Sequence, residues 1–417
     1  MDRKKIVFLC QFSNPIVRKK LDLKNFGTRN VLCKILGHLP YGYDDFAIWV
    51  SDYIQEFEKH QEFEFHIVAP HRGMKKEIQS FELTGVHYHF FKCDSHYLVD
   101  LCNTHLQLSE RNNYKQNRRR MQRIISDINP DLVLLCGAEN PYYSIGVLDV
   151  KDKPVYVILQ TLLNDSKRIE MGVGTPYRRR IEVEVFKQAH YFCTTADNAQ
   201  KKIQEINKNA VILPASFPTH RPIIKIPKDK VCDFVFFARG VTKNKGIEDL
   251  LEAMSIVVKN KQSAVLYVIG GCDSDYKKHL DSLIKKYGIE RNVVFKGYFD
   301  NVEDTYANVV KAKVVVVPGI TAGLNSTVRE AMFMGLPTIC YETTATAVIN
   351  KERTCLYTAP MGNVLALADQ MLFSIENQNE SDITAKNGKL YAEKEFGNEG
   401  VVNKLLENCQ LIIEGKV

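Results

Sequence analysis

Three residues that commonly cap helices stand together after a short, strongly apolar stretch. The run Val314–Val317 has the β-branched composition of a strand buried on both faces, and Pro318-Gly319 ends it. Asn325–Thr327 then precede an apolar helical segment that ends at Gly335. A helix that begins at the carboxyl end of a parallel strand offers free N–H groups and a favourable dipole to an anion. This stretch therefore predicts a phosphate site.

Glu330 lies about one turn into the same predicted helix. Phosphate would repel its carboxylate, but the carboxylate can accept hydrogen bonds from a sugar hydroxyl beside the phosphate. Taken alone, the stretch is equally consistent with an ordinary strand–helix–strand connection that binds nothing.

A second set of charged residues follows the strand predicted at Phe234–Ala238. Arg239 stands at the end of that strand, and Lys243 and Lys245 lie in the glycine-containing loop before the next helix. Ligands of open α/β sheets bind outside the carboxyl ends of the strands, so we expect Arg239, Lys245 and the loop before Glu330 at one edge. Two cations and a helix N-terminus suit a diphosphate, and the carboxylate suits its ribose. A P-loop is excluded because no GxxxxGK[ST] motif is present.

The order of apolar runs and amphipathic segments predicts two doubly wound α/β domains. The strand–helix alternation starts at Lys5, pauses in the proline-rich stretch Pro214–Lys230 and then restarts. We place the first domain at residues 1–218 and the second at 219–395. A last helix, within residues 396–417, is expected to pack back on the first domain.

Composition narrows the class of protein. The chain has 417 residues, 45% of them hydrophobic, which is ordinary for a globular protein of more than one domain. No secretory leader or membrane-spanning run is recognisable, and the eleven scattered cysteines form no CxxC pair, so we expect a cytoplasmic protein with reduced thiols. The net charge of +7 is consistent with an anionic ligand or an anionic membrane surface.

One basic helical segment contains a cluster of four arginines: Arg118, Arg119, Arg120 and Arg123. This cluster is either a solvated helix face or a patch that binds lipid headgroups or a phosphorylated acceptor.

The second half resembles the retaining glycosyltransferases of family four, which have the GT-B fold of two facing Rossmann-like doubly wound domains. Three segments carry the resemblance, strongly over residues 233–350. The first runs from Phe236 through Arg239 to Lys245-Gly246, and the second combines Val268–Gly271 with Val293–Tyr298. The third is Pro318–Pro337, which is similar to the family's helix signature of two glutamates separated by seven residues.

The resemblance implies a role for each candidate residue. Arg239 and Lys245 would be catalytic, because they stabilise the leaving diphosphate. Glu330, as the second signature glutamate, would bind the donor ribose. The remaining donor-binding residues would be Gly323, Leu324, Asn325, Ser326, Thr327, Gly297 and Tyr298.

The implied reaction moves a sugar from a nucleotide sugar, such as a UDP- or GDP-sugar, to a glycan, lipid-linked or polysaccharide acceptor with retention of configuration. No metal and no other cofactor is expected, and no nucleic-acid partner. Asp273-Ser274-Asp275 has the spacing of the DxD metal motif of the other major glycosyltransferase fold, but it lies in the wrong kind of fold. A peripheral contact with the inner face of a membrane is left open.

Three departures from the family pattern matter. Ala322 stands where the first signature glutamate is usual, which puts transfer itself in question. The loop between Arg239 and Lys245 is one residue longer than usual, so Lys243 is an alternative for the lysine role. Gln160 follows a strand after which many members have a histidine. Two other functions therefore stay open: a sugar-nucleotide-binding protein that has lost transfer, and a sugar-nucleotide epimerase of the same fold.

Overall fold

The fold was analysed in a computed structural model that describes residues 3–12, 14–25, 27, 30–31, 47–93, 108–170, 172–219, 221–320 and 324–417. The chain divides into two compact units. Unit 1 comprises residues 1–218 together with 398–417, and unit 2 comprises residues 219–397.

Unit 1 is built around an eight-stranded sheet. Its described strands are β1 (Lys4–Leu9), β2 (Phe63–His71), β3 (Ile78–Leu83), β4 (Val86–Lys92), β5 (Leu132–Cys136), β6 (Val155–Ile158), β7 (Tyr191–Cys193) and β8 (Val211–Ile212). Its first eight described helices are α1 (Pro15–Arg18), α2 (Ile48–Phe57), α3 (Leu108–Arg111), α4 (Lys115–Ile128), α5 (Pro141–Ser144), α6 (Ser166–Glu170), α7 (Pro176–Gln188) and α8 (Asp197–Ile206).

The strand order of this sheet is β3-β4-β2-β1-β5-β6-β7-β8. All neighbours pair in parallel except β3, which runs antiparallel to β4 at the edge. The central strands β1 and β5 are almost wholly buried because helices cover both faces of a parallel sheet. The sequence predicted the central strands but not β3, whose side chains alternate between half-buried and exposed.

Unit 2 has a six-stranded, fully parallel sheet of order β11-β10-β9-β12-β13-β14. Its strands are β9 (Cys232–Gly240), β10 (Leu266–Gly271), β11 (Val293–Gly297), β12 (Ala312–Val317), β13 (Thr338–Tyr341) and β14 (Tyr357–Ala359). Its helices are α9 (Ile247–Asn260), α10 (Ser274–Tyr287), α11 (Val302–Val309), α12 (Ser326–Met334), α13 (Thr344–Ile349), α14 (Val364–Glu376) and α15 (Gln378–Glu395). The α/β prediction of two parallel-sheet domains is confirmed.

The last helix, α16 (Asn398–Ile413), belongs to the core of unit 1. Leu405 and Leu406 are buried in the same apolar cluster as Phe8 of β1. The buried amide of Asn408 donates to the Tyr156 hydroxyl at 3.1 Å. The chain thus returns to its first unit after completing the second.

The basic segment on α4 is not a free patch of four arginines. The Arg118 guanidinium forms a two-point ion pair with Asp149. Arg120 donates to the Lys92 carbonyl at 2.7 Å and to Glu77 at 3.0 Å. These contacts hold α4 against its own unit and leave Arg119 and Arg123 as the exposed pair of the cluster.

In the described part of the chain, no helix combines the length and the apolar character that crossing a bilayer requires.

Candidate functional site

The carboxyl edge of the unit 2 sheet has a topological switch point between β9 and β12. From β9 the chain passes to β10 on one side of the sheet and only later to β12 on the other. The loops that leave β9 and β12 therefore diverge from neighbouring strands, and a crevice forms between them. The predicted cations and the predicted helix start flank this crevice.

Two backbone contacts join these loops. After β9, residues Lys243–Lys245 form a single 3₁₀ turn that Gly246 ends. The Ile320 N–H donates to the Asn244 carbonyl at 3.0 Å. A Cβ on Gly246 would lie 1.8 Å from the Pro318 carbonyl oxygen, and its φ is +75°, so only glycine fits. The turn thus rests directly on the end of β12.

The start of α12 is shaped by a third close approach. A Cβ on Gly319 would lie 2.3 Å from the side-chain nitrogen of Asn325, so the Asn325 amide covers the Gly319 backbone. Asn325 makes no side-chain cap bond to the helix, and the first turn of α12 carries no acidic residue. The Asn325 side chain therefore does not take up the N–H groups of Ser326 and Thr327, whereas the Asn325 carbonyl accepts from the Val328 N–H at 3.1 Å.

The predicted donor-binding residues around α12 differ in exposure. Leu324, Asn325 and Glu330 are half-buried, Ser326 is exposed and Thr327 is 7% exposed. Gly323, and Ala322 before it, lie outside the described residues. Glu330 is on the first turns of a helix whose next four residues are buried, and this keeps the helix axis fixed.

Arg239 lies inside β9, one residue before its end, because the strand continues two residues past its predicted end at Ala238. The strand is longer because Gly240 pairs with Gly271 and the Val241 N–H donates to the Gly271 carbonyl at 2.7 Å. The Arg239 side chain is exposed, and it forms no hydrogen bond or ion pair with the described residues. Its charge is therefore available at the sheet edge.

The two lysines of the 3₁₀ turn have different surroundings. The Lys243 ammonium is 3.5 Å from the Glu248 carboxylate and is mostly exposed. Glu248 and Asp249 occupy the first turn of α9, so the N-terminus of that helix already carries two negative charges. Lys245 is half-buried on the side of the turn that leads into Gly246. Of the two helix starts, only α12 has a first turn without a carboxylate.

An aromatic ring and three glycines mark the ends of β10 and β11. Gly270 has a φ of +144° and its Cβ position lies 2.2 Å from the Ala238 carbonyl, so β10 and β9 approach without a side chain between them. The Tyr298 ring lies 3.9 Å from the position that a Cβ on Gly271 would take, and Tyr298 is 49% exposed. Gly297 precedes it with a φ of +75° and open space around it. The structure thus brings Gly297 and Tyr298 to the same sheet edge as Arg239.

The aspartates with DxD spacing have local structural roles. Asp273 caps α10 by accepting from the N–H groups of Asp275 and Tyr276. The Asp275 carboxylate is 2.9 Å from Lys278.

Sequence reasoning missed a buried carboxylate in unit 1. Glu139 follows β5 and is 7% exposed, and its carboxyl group lies over Gly137, which has a φ of +86°. Burial raises the pKa of Glu139 to about 7. One of its oxygens has no hydrogen-bond partner among the described residues. The sequence pattern that could have indicated this site is Gly137, Glu139 and Asn140, which follow directly after the buried strand β5.

We expect Gly246→Ala to destabilise unit 2 far more than Gly288→Ala does. Both glycines end a helical turn with positive φ, which costs an alanine about 1–2 kcal/mol. Only Gly246 also meets a backbone oxygen, whereas Gly288 has open space, so the Gly246 variant should lose roughly 1–3 kcal/mol more. Hydrogen exchange of unit 2 amides measures the difference, and equal losses would show that the contact with Pro318 is not tight.

Glu139→Gln should change how stability depends on pH. The folded pKa of Glu139 is raised, so the stability that its protonated form contributes is complete below about pH 4.5 and is lost as the pH rises through about 7. The variant should therefore gain roughly 1–3 kcal/mol over the unsubstituted protein between pH 5 and pH 8. Denaturation followed by fluorescence of Trp49 measures this, with the half-exposed Glu184→Gln as control. Parallel pH profiles would contradict it.

The chain is similar in sequence and in fold to known proteins. Residues 217–391 match the family model described as Glycosyl transferases group 1. An uncharacterized glycosyltransferase of Methanocaldococcus jannaschii is 31% identical over 106 residues, which is 25% of this chain and 26% of that protein. The matched part therefore spans about a quarter of this curated relative.

Two solved structures match over nearly the whole chain. Sucrose-phosphate synthase from Thermosynechococcus elongatus is 14% identical with a TM-score of 0.71, covering 99% of this chain and 100% of that one. HepE from Anabaena, in complex with UDP and glucose, is 13% identical with a TM-score of 0.64, covering 98% of this chain and 100% of that one. These likenesses show the fold, which is the GT-B arrangement of two parallel-sheet α/β domains. The chain thus has the GT-B fold, and its residues 217–391 are similar to the group 1 glycosyltransferases.

Proposed function

We propose that the protein transfers a sugar from a nucleoside diphosphate sugar to a hydroxyl of a glycan or lipid-linked acceptor, with retention of configuration. The observation that carries the proposal is the meeting of the Lys243–Lys245 turn with the loop before α12 at the switch point of unit 2. Unit 2 would bind the donor, and unit 1 the acceptor.

The diphosphate is assigned to the crevice between β9 and β12. Arg239 supplies an exposed cation from β9, Lys245 a second cation from the turn, and α12 the N–H groups of its first turn. Each charge-assisted hydrogen bond to the diphosphate is worth roughly 1.5–3 kcal/mol. As the glycosidic bond breaks, negative charge grows on the leaving diphosphate, so these fixed donors stabilise the transition state more than the ground state.

Lys245, and not Lys243, is assigned the lysine role. Lys243 lies beside the start of α9, whose two carboxylates disfavour phosphate. Lys245 adjoins Gly246, whose backbone touches the loop leading to α12.

The nucleoside occupies the remaining part of the edge. Glu330 accepts hydrogen bonds from the ribose hydroxyls, since its carboxylate is repelled by the diphosphate but can accept from the neutral hydroxyls beside it. The exposed Tyr298 ring and the bare backbone at Gly271 and Gly297 offer a flat surface for the base. HepE of the same fold is complexed with UDP and with UDP-glucose, so a UDP-sugar is our first candidate donor.

Retention and independence from metal ions rest on the resemblance of Pro318–Pro337 to the family-four signature. The local roles of Asp273 and Asp275 support independence from metal ions, because both carboxylates already have protein partners. Peripheral membrane binding has less support from the structure than from the sequence. Arg118 and Arg120 bond to residues of their own unit and are not both available to lipid headgroups.

Binding of UDP, GDP, ADP and their sugars by calorimetry tests the donor site. One nucleotide should bind, and Glu330→Ala should weaken it about tenfold, which corresponds to loss of a contact of roughly 1.4 kcal/mol. The matched control is Glu290→Ala, an exposed glutamate of the same unit. If no nucleotide binds the unsubstituted protein, the donor site is wrongly placed.

Turnover must be measured on the same samples. Hydrolysis or transfer of the bound sugar, slowed by Arg239→Ala, supports the enzyme. Tight nucleotide binding without turnover would instead favour a sugar-nucleotide-binding protein, in which Ala322 replaces a needed glutamate.

A further inference from the structure

A cavity of about 200 Å³ lies at the carboxyl edge of the unit 1 sheet. It opens where the loops after β1, β5 and β6 meet, and β1 and β5 flank the switch point of this sheet because the chain leaves β1 for β2 on one side and reaches β5 on the other. This is where an open α/β sheet binds its ligand. The residues of its lining that matter here are Gln11, Trp49, Cys136, Asn140, Tyr143 and Gln160.

Uncharged groups that can both donate and accept hydrogen bonds dominate this lining. Gln11, Asn140 and Gln160 each contribute a carboxamide, one from each of the three loops. No acidic or basic side chain is among the described residues that line the cavity. A phosphate or carboxylate placed here would lose its hydration without meeting a cation of the described lining, which is costly. Neutral hydroxyl groups, by contrast, pair well with amides in either direction.

Two of the amides are held in fixed orientations. The Asn140 side-chain oxygen accepts from Arg178 at 3.1 Å, and its nitrogen donates to Glu139 at 3.3 Å. Gln11 accepts from the Tyr142 hydroxyl. The Gln160 amide has no hydrogen-bond partner among the described residues, so it is available to a ligand.

Trp49 adds a rigid aromatic surface. Its ring packs edge-on against Tyr53 at 6.0 Å and against Phe217 at 5.9 Å, so it is fixed from two sides. It stays partly exposed and lines the cavity. An indole beside carboxamides suits a sugar ring, which presents apolar C–H groups on its face and hydroxyls around its edge.

The size of the cavity limits the ligand further. Its volume of about 200 Å³ is roughly seven times the 30 Å³ that one water molecule occupies in the liquid, which limits a bound ligand to a small molecule. The bond from the Tyr143 hydroxyl to the Cys136 carbonyl, 2.6 Å long, closes the floor between the end of β5 and α5. A single ring fits, and a longer glycan would have to extend outside.

We propose that this cavity is the acceptor subsite and that it takes one uncharged sugar ring of a glycan. The assignment of the ring as an acceptor rests on the proposed transfer reaction. The choice of a neutral ring over a phosphorylated sugar or a lipid phosphate rests only on the lining of the cavity.

Trp49 is the only tryptophan of the chain, so its fluorescence reports directly on the cavity. Methyl glycosides of neutral hexoses and of N-acetylhexosamines, at millimolar concentrations, should change the emission of the full-length protein with saturation. Glucose 6-phosphate should do so about tenfold less strongly or not at all. Gln160→Ala should weaken binding of the effective sugar by about tenfold, whereas Gln122→Ala, an exposed amide on α4, should leave it unchanged.

UDP binding measured in parallel separates the two proposals. If UDP binds but no neutral sugar reaches Trp49, or if only phosphorylated sugars do, the subsite inference is overturned while the donor site stands. If the two amide variants bind sugar equally, the inference is overturned as well. If neutral sugars bind as expected and no nucleotide does, the sugar site stands and the transfer reaction fails.

Discussion

The contact between Gly246 and the Pro318 carbonyl fixes the candidate donor site. It can form only because a glycine ends the 3₁₀ turn with positive φ, and the hydrogen bond from Ile320 to Asn244 locks the same two loops a second time. Through these contacts, the end of β12 determines where Lys245 lies, and the loop after β12 determines where α12 begins. Cations and helix N–H groups that are far apart in sequence thereby lie at one crevice. The two loops are joined through backbone atoms and not through side chains.

The two units have the same sheet architecture at their candidate sites but differ in the charge that they present there. Each sheet has its switch point beside its first strand, and each has loops with polar side chains there. In unit 2 the crevice presents Arg239, Lys245 and an uncapped helix start, which suits a diphosphate. In unit 1 the corresponding place is a small cavity lined by carboxamides and one indole, with the buried Glu139 behind Asn140. The proposed transfer reaction would benefit from this difference, since a cationic acceptor cavity would compete for the diphosphate of the donor.

Much of this fold follows from local sequence patterns. The strand Val314–Val317 and the end of its helix at Gly335 were predicted from β-branched composition and from the glycine, and Gly335 indeed has a φ of +67°. The strand β3 was missed because an edge strand with half-exposed side chains lacks a buried apolar run. The end of β9 was placed two residues early, since only the pairing of Gly240 with Gly271 extends it. The choice of Lys245 over Lys243 depends on the approach of Gly246 to Pro318 and on the carboxylates at the start of α9, and neither follows from the spacing of the lysines. The unit 1 cavity could not be predicted from the sequence, because the residues that line it come from four separate segments of the chain.

Hydrogen exchange of the full-length protein with and without UDP tests the placement of the diphosphate most directly. UDP should slow exchange of the backbone amides in residues 240–247 and 324–330, because these groups surround the crevice between β9 and β12. It should leave the amides around Gln11, Asn140 and Gln160 unchanged. Protection confined to the unit 1 edge, or bound UDP without protection at 324–330, would contradict a donor site built on the start of α12.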